Sequence, residues 1–127
     1  MSWVPLVVSI GAILGAISRY YTTQFWAKRF RTQIPFGTFV VNLLGSFLIG
    51  LLSTFFEIYS AHPSAQLLIF SGFLGSYTTF SSYILEASQL LKERKVVRSL
   101  FYGLGSPMLG FVSLGLGVWF GLGLIGQ

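Results

Sequence analysis

Cysteine is absent from the 127 residues, histidine occurs once, and only three side chains are acidic. Without thiols there is no disulfide, no cysteine zinc site and no thiol nucleophile, and a lone His62 cannot build a multi-histidine metal centre. One histidine and three glutamates cannot supply a nucleophile, a base and an orienting group together, so an enzyme is not expected. Charge is scarce as well: 9% of the residues carry it, where a soluble domain has roughly a quarter. Eight Lys/Arg against three acids leave a net charge of +5. So few charges make no nucleic-acid surface; their natural counterpart is the anionic inner face of a membrane, and lipid is the expected surrounding.

What is abundant is apolar, with 54% of the residues hydrophobic. A membrane span needs about 20 such residues, because the hydrocarbon is roughly 30 Å thick and a helix rises about 1.5 Å per residue. Reading the charges as punctuation leaves uncharged runs at 1–18, 32–56, 58–85 and 99–127. The expectation is an all-α membrane protein, one domain over 1–127, with four transmembrane helices at roughly 3–23, 36–56, 65–91 and 99–125. Pro35 suits the opening turn of the second helix, Ala61 to Ser64 reads as a turn, and Lys92 to Lys95 as a solvated loop. A cleavable signal peptide is not expected, since no basic segment precedes Trp3 and the first apolar run outlasts an h-region. A chain this short cannot enclose a pore alone.

Alternating spans put the first and third loops on one side. Arg19, Lys28, Arg29 and Arg31 fall there with Lys92, Arg94, Lys95 and Arg98, which is all eight basic residues. The positive-inside rule makes that side cytoplasmic and places both termini outside. Eight of the 15 glycines lie between Gly103 and Gly126, and Gly11/Gly15 and Gly117/Gly121 have GxxxG spacing. Small residues let helix backbones approach in lipid, so tight packing is expected, within the chain and between chains.

Asn42 sits mid-way along the second helix with Thr38 and Ser46 one turn away on the same face, a polar stripe that must face protein or water. Its amide can serve as packing glue or offer N–H groups to a dehydrating anion; spacing alone does not choose. In the third helix, residues 72–83 hold Gly72, Gly75 and five Ser/Thr, which loosen a helix enough to break it. Carbonyls exposed in such a break make a natural site for a small hard cation. Glu86, just beyond, reads as a helix-end carboxylate reaching the interface.

These segments, Gly15 to Arg19, Gly37 to Leu43 and Gly72 to Ser81, resemble the fluoride channel family known as Fluc or CrcB, over essentially the whole chain. The resemblance implies an antiparallel dimer of four-helix subunits with fluoride pores at the subunit interface. It implies Asn42 as pore asparagine, Phe80 and Tyr83 at the phenylalanine-box positions, and hydroxyls such as Thr38, Thr79 and Ser81 lining the path. Arg19 would either help hold a positive potential in the cytoplasmic vestibule or serve a structural role at the end of the first helix. Gly75 and Thr78 would give backbone carbonyls to a structural Na⁺ at the dimer centre, not transported. Aromatic ring edges are positive and attract an anion without trapping it. The expected activity is passive fluoride efflux.

Two departures stand out. Tyr83 replaces the family's second Phe, and a fourth-helix Ser/Thr track expected at Gly110 and Leu114 is missing, with Ser106 and Ser113 read as off that register. The one-sided charge also suits a fixed orientation, so the chain pairs with itself or, as the bias favours, with a homologue of opposite orientation. The rival readings are a small four-helix multidrug exporter, which needs a carboxylate deep in its first helix, and a non-transporting membrane assembly protein.

Overall fold

A computed structural model describes residues 3–30 and 35–126, and every regular element among them is helical: α1 (Val4–Arg29), α2 (Phe36–Ile58), α3 (Pro63–Gln66), a π-helical segment (Leu67–Leu74), α4 (Gly75–Tyr77), α5 (Ser81–Lys92) and α6 (Val96–Leu124). Helices α1, α2 and α6 are each long and apolar enough to cross a membrane. Lipid offers no hydrogen bonds, so a long apolar run satisfies its backbone internally by staying helical.

Helix α1 continues to Arg29, six residues past the Thr23 expected from sequence. Lys28 and Arg29 therefore sit in its last turn, where cations complement the helix dipole, and not in a loop. Arg31, the next basic residue, lies outside the described residues. Around this end the rings of Phe25, Trp26, Phe30 and Phe36 follow one another at 5.2–5.4 Å, an aromatic girdle of the kind that marks a membrane–water interface. Arg19 stands ten residues before Arg29, about 15 Å along the axis, half-buried within the helix and not at its end.

Residues 63–92 do not form one helix. After a single α turn the ladder widens into the π-helical segment, returns to α for Gly75–Tyr77 and is interrupted at Thr78, whose backbone is extended (φ −82°, ψ 158°), before α5 begins. Helices α2 and α5 both end in left-handed residues, Ser60 (φ 51°) and Arg94 (φ 61°). The N–H groups of Ala61 and Lys95 then reach back to Phe56 O and Leu90 O, closing carbonyls that would stay open.

The packing follows the small residues. Helix α2 runs along α6, and α1 runs along the π-helical segment. A Cβ at Gly15 would overlap the Phe73 carbonyl oxygen, and one at Gly11 that of Leu68. Between α2 and α6 the overlaps would be Gly117 with Phe47 O and Gly50 with Leu114 O. Both GxxxG motifs are thus used within the chain. Gly103, Gly105, Gly115 and Gly123 meet nothing within 4 Å of a Cβ. The buried core is thin, with Val41, Leu74, Tyr77, Leu90 and Tyr102, whereas Phe111 is 79% exposed and Phe80 74%. Such a surface suits hydrocarbon or a partner chain, not water.

Candidate functional site

The interruption between α4 and α5 needs donors and acceptors from elsewhere, because its backbone cannot complete a helical ladder. Asn42 supplies both. Its Oδ1 accepts from the Thr79 N–H at 2.9 Å and its Nδ2 donates to the Thr79 carbonyl at 2.9 Å. A primary amide is suited to this, carrying donor and acceptor in one plane, and one N–H remains after both bonds are made. Thr79 Oγ1 accepts from the Ser82 N–H at 3.2 Å and starts α5. Gly45, one turn nearer the middle of α2, leaves the room that Thr78 Cγ2 occupies.

Beside this junction lies a groove of about 640 Å³, walled by Asn42, Ser46 and Ile49 from α2, by Thr78 to Phe80, Tyr83 and Ile84, and by Ser106, Pro107, Gly110, Phe111 and Leu114 from α6. Its polar groups are neutral: an amide N–H, hydroxyls and aromatic edges. The Phe80 and Tyr83 rings stand 5.7 Å apart at 54°, and Tyr83 stands 5.4 Å from Tyr102. The Tyr83 hydroxyl donates to the Gly103 carbonyl. Neutral donors of this kind lower the cost of dehydrating a small anion without binding it as a fixed cation would.

The polar stripe of α2 divides. Asn42 and Ser46 face the groove, whereas Thr38 is buried and is not among its walls. Glu86 is half-buried on α5, six residues before that helix ends at Lys92. Glu86 Oε1, Tyr102 OH and Ser106 Oγ are buried with no hydrogen-bond partner among the described residues. Such orphaned atoms normally mark a water or ligand site. Thr79 and Phe80 line the groove; Ser81 is exposed and does not. Arg19 on α1 is not among the groove's walls.

On α6 the sequence register needs correcting. Ser106, Gly110 and Leu114 are spaced by four and all face the groove, so Ser106 stands on the line from which it was excluded. Ser113 points away and donates to Leu43 O at 2.8 Å. Tyr102, four residues before Ser106, is a residue sequence reasoning passed over; the i, i+4 spacing from 102 to 114 was the signal that could have found it.

No group of three His, Cys, Asp or Glu that could hold a metal occurs among the described residues. The helix break also leaves backbone oxygens open. The Thr79 N–H that would close on Gly75 O is turned to Asn42, and the Ser82 N–H that would close on Thr78 O goes to Thr79 Oγ1. Both carbonyls therefore lack a backbone donor among the described residues, and neutral carbonyl oxygens suit a hard monovalent cation.

Residues 6–118 match the family described as "CrcB-like protein, Camphor Resistance (CrcB)". The chain is 41% identical over 119 residues to a protein of Trichormus variabilis named "Fluoride-specific ion channel FluC", covering 92% of this chain and 87% of that one. It is 40% identical over 116 residues to the like-named protein of a Synechococcus species, covering 91% and 89%. With that of a Synechocystis species the identity is 41% over 114 residues, covering 89% and 88%.

Proposed function

Because the chain belongs to the CrcB family, we propose that it is one subunit of a fluoride-selective channel that lets fluoride leave the cell passively and keeps cytoplasmic fluoride low. The observation that carries this reading is the helix interruption clamped by Asn42 and opening onto a groove of neutral donors and ring edges. Fluoride in the groove would exchange water for the free Asn42 N–H, the Ser46 hydroxyl and the edges of Phe80 and Tyr83. Each contact is weak, and several in series allow entry without capture. Gly110 and Leu114 offer no such group, which leaves a poorer stretch of path along this chain's own α6.

The chain crosses the cell membrane four times, with residues 63–92 as a broken third span and both termini outside. Two subunits of opposite orientation build the channel. The Gly75 and Thr78 carbonyls of each subunit would hold a structural, untransported Na⁺ at the dimer centre, and the ion would supply the positive partner that these open carbonyl oxygens otherwise go without. The basic residues at the end of α1 and around the α5–α6 turn favour one orientation, so the partner is a homologous chain inserted the other way. A multidrug exporter would need a carboxylate deep in its first span, and α1 has none. A passive assembly protein would have no use for polar groups left open in a groove.

The test is efflux of fluoride against chloride from liposomes, first with the purified chain alone and then with the complex it forms in its own cells. Fluoride efflux with chloride retained supports the reading, and a complex passing both ions alike sinks it. Strong efflux by the chain alone removes the need for a homologous partner.

A further inference from the structure

Pro107 lies inside α6, four residues after Gly103. In an α-helix the carbonyl of residue i is closed by the N–H of residue i+4, and proline has none. The Gly103 carbonyl therefore loses its regular donor within a segment read as surrounded by lipid, where an unsatisfied carbonyl is costly. The Tyr83 hydroxyl donates to that same carbonyl. A phenylalanine at position 83 could not.

The ring carrying this hydroxyl lines the groove next to Pro107, and it is held from its sides by Phe80 at 5.7 Å and Tyr102 at 5.4 Å. Tyr83 thus has its polar end committed to α6 and its edges left to the groove.

We propose that Tyr83, Gly103 and Pro107 form one interdependent unit: the proline frees a carbonyl, the carbonyl anchors the tyrosine hydroxyl, and the anchored ring meets a passing anion by its edge and not by its hydroxyl. The part concerning the anion rests on the groove being the fluoride path; the hydrogen bond and its dependence on Pro107 do not.

The experiment is a double-mutant cycle in the full-length chain, with Tyr83→Phe, Pro107→Ala and the pair. Pro107→Ala restores an N–H that can close on Gly103, so the loss of the tyrosine hydroxyl should matter less in that background. Tyr83→Phe is expected to lower the thermal unfolding midpoint by several degrees with proline present and by less than half as much with alanine there. Infrared difference spectra should show a newly free carbonyl in Tyr83→Phe and none when Pro107→Ala is added. Fluoride efflux should fall more with Tyr83→Phe alone than with the same change in the Pro107→Ala background. A hydroxyl that contacts the ion would instead give the same loss of efflux in both.

Equal, additive shifts in midpoint overturn the proposal. If Tyr83→Phe fails to fold by itself, its rescue by Pro107→Ala supports the unit, and failure in both backgrounds overturns it. The unfolding and infrared readings need no transport, so a wild-type complex that passes no fluoride would refute the proposed function and leave this coupling separately decided.

Discussion

Replacing Asn42 by leucine, a side chain of similar size, removes both hydrogen bonds that hold the Thr79 peptide. Each group left unmade in a poorly hydrated site costs about 1–3 kcal/mol, so the pair costs about 2–6 kcal/mol. A fall in unfolding midpoint on the order of 10 °C follows for a protein of this size. Asn42→Asp is the informative companion. It keeps an acceptor for the Thr79 N–H but sets an oxygen against the Thr79 carbonyl, so roughly half the hydrogen-bond loss is expected, about 1–3 kcal/mol, plus the repulsion. Its charge would also repel an anion. Both variants are expected to unfold below wild type, and efflux is lost in both. Unfolding followed by tryptophan fluorescence and liposome efflux measure the two properties. An Asn42→Leu protein with an unchanged midpoint would refute the claim that this amide holds the break together.

Gly15→Ala places a Cβ against the Phe73 carbonyl, backbone that cannot swing aside, and should destabilise by about 1–3 kcal/mol. Gly123→Ala, with nothing within 4 Å, should leave the unfolding midpoint in place. A Cβ at Gly110 would stand 3.6 Å from Ser46 Oγ, an ordinary contact, so Gly110→Ser fits; combined with Leu114→Thr it should raise fluoride efflux by supplying the missing hydroxyls. Exchanging sodium for a large organic cation should lower the unfolding midpoint of the assembled channel, read by size-exclusion after heating.

The long helices were readable because apolar runs between charges have few alternatives in lipid. The end of α1 was not, since basic side chains in a last turn look like loop residues until the helix dipole and the aromatic girdle of Phe25, Trp26, Phe30 and Phe36 are seen to suit them. The stripe of Thr38, Asn42 and Ser46 was visible as a spacing, yet its division between groove and interior depends on how the other helices pack against α2. Nothing local links Asn42 to Thr79, 37 residues away. The widening to a π-helix over Leu67–Leu74 had no signal either: close approach of Gly11 and Gly15 to that backbone is a tertiary feature. On α6 the error over Ser106 was one of counting, as its fours lead straight to Gly110 and Leu114.

The central claim is that this chain belongs to a path that passes fluoride and holds back chloride. The most direct measurement is ion-specific electrode recording of both halides leaving liposomes that contain the complex purified through a tag on this chain from its own membranes. The account predicts rapid fluoride release with chloride retained, abolished by Asn42→Asp. Release of both halides together, or of neither, would contradict it.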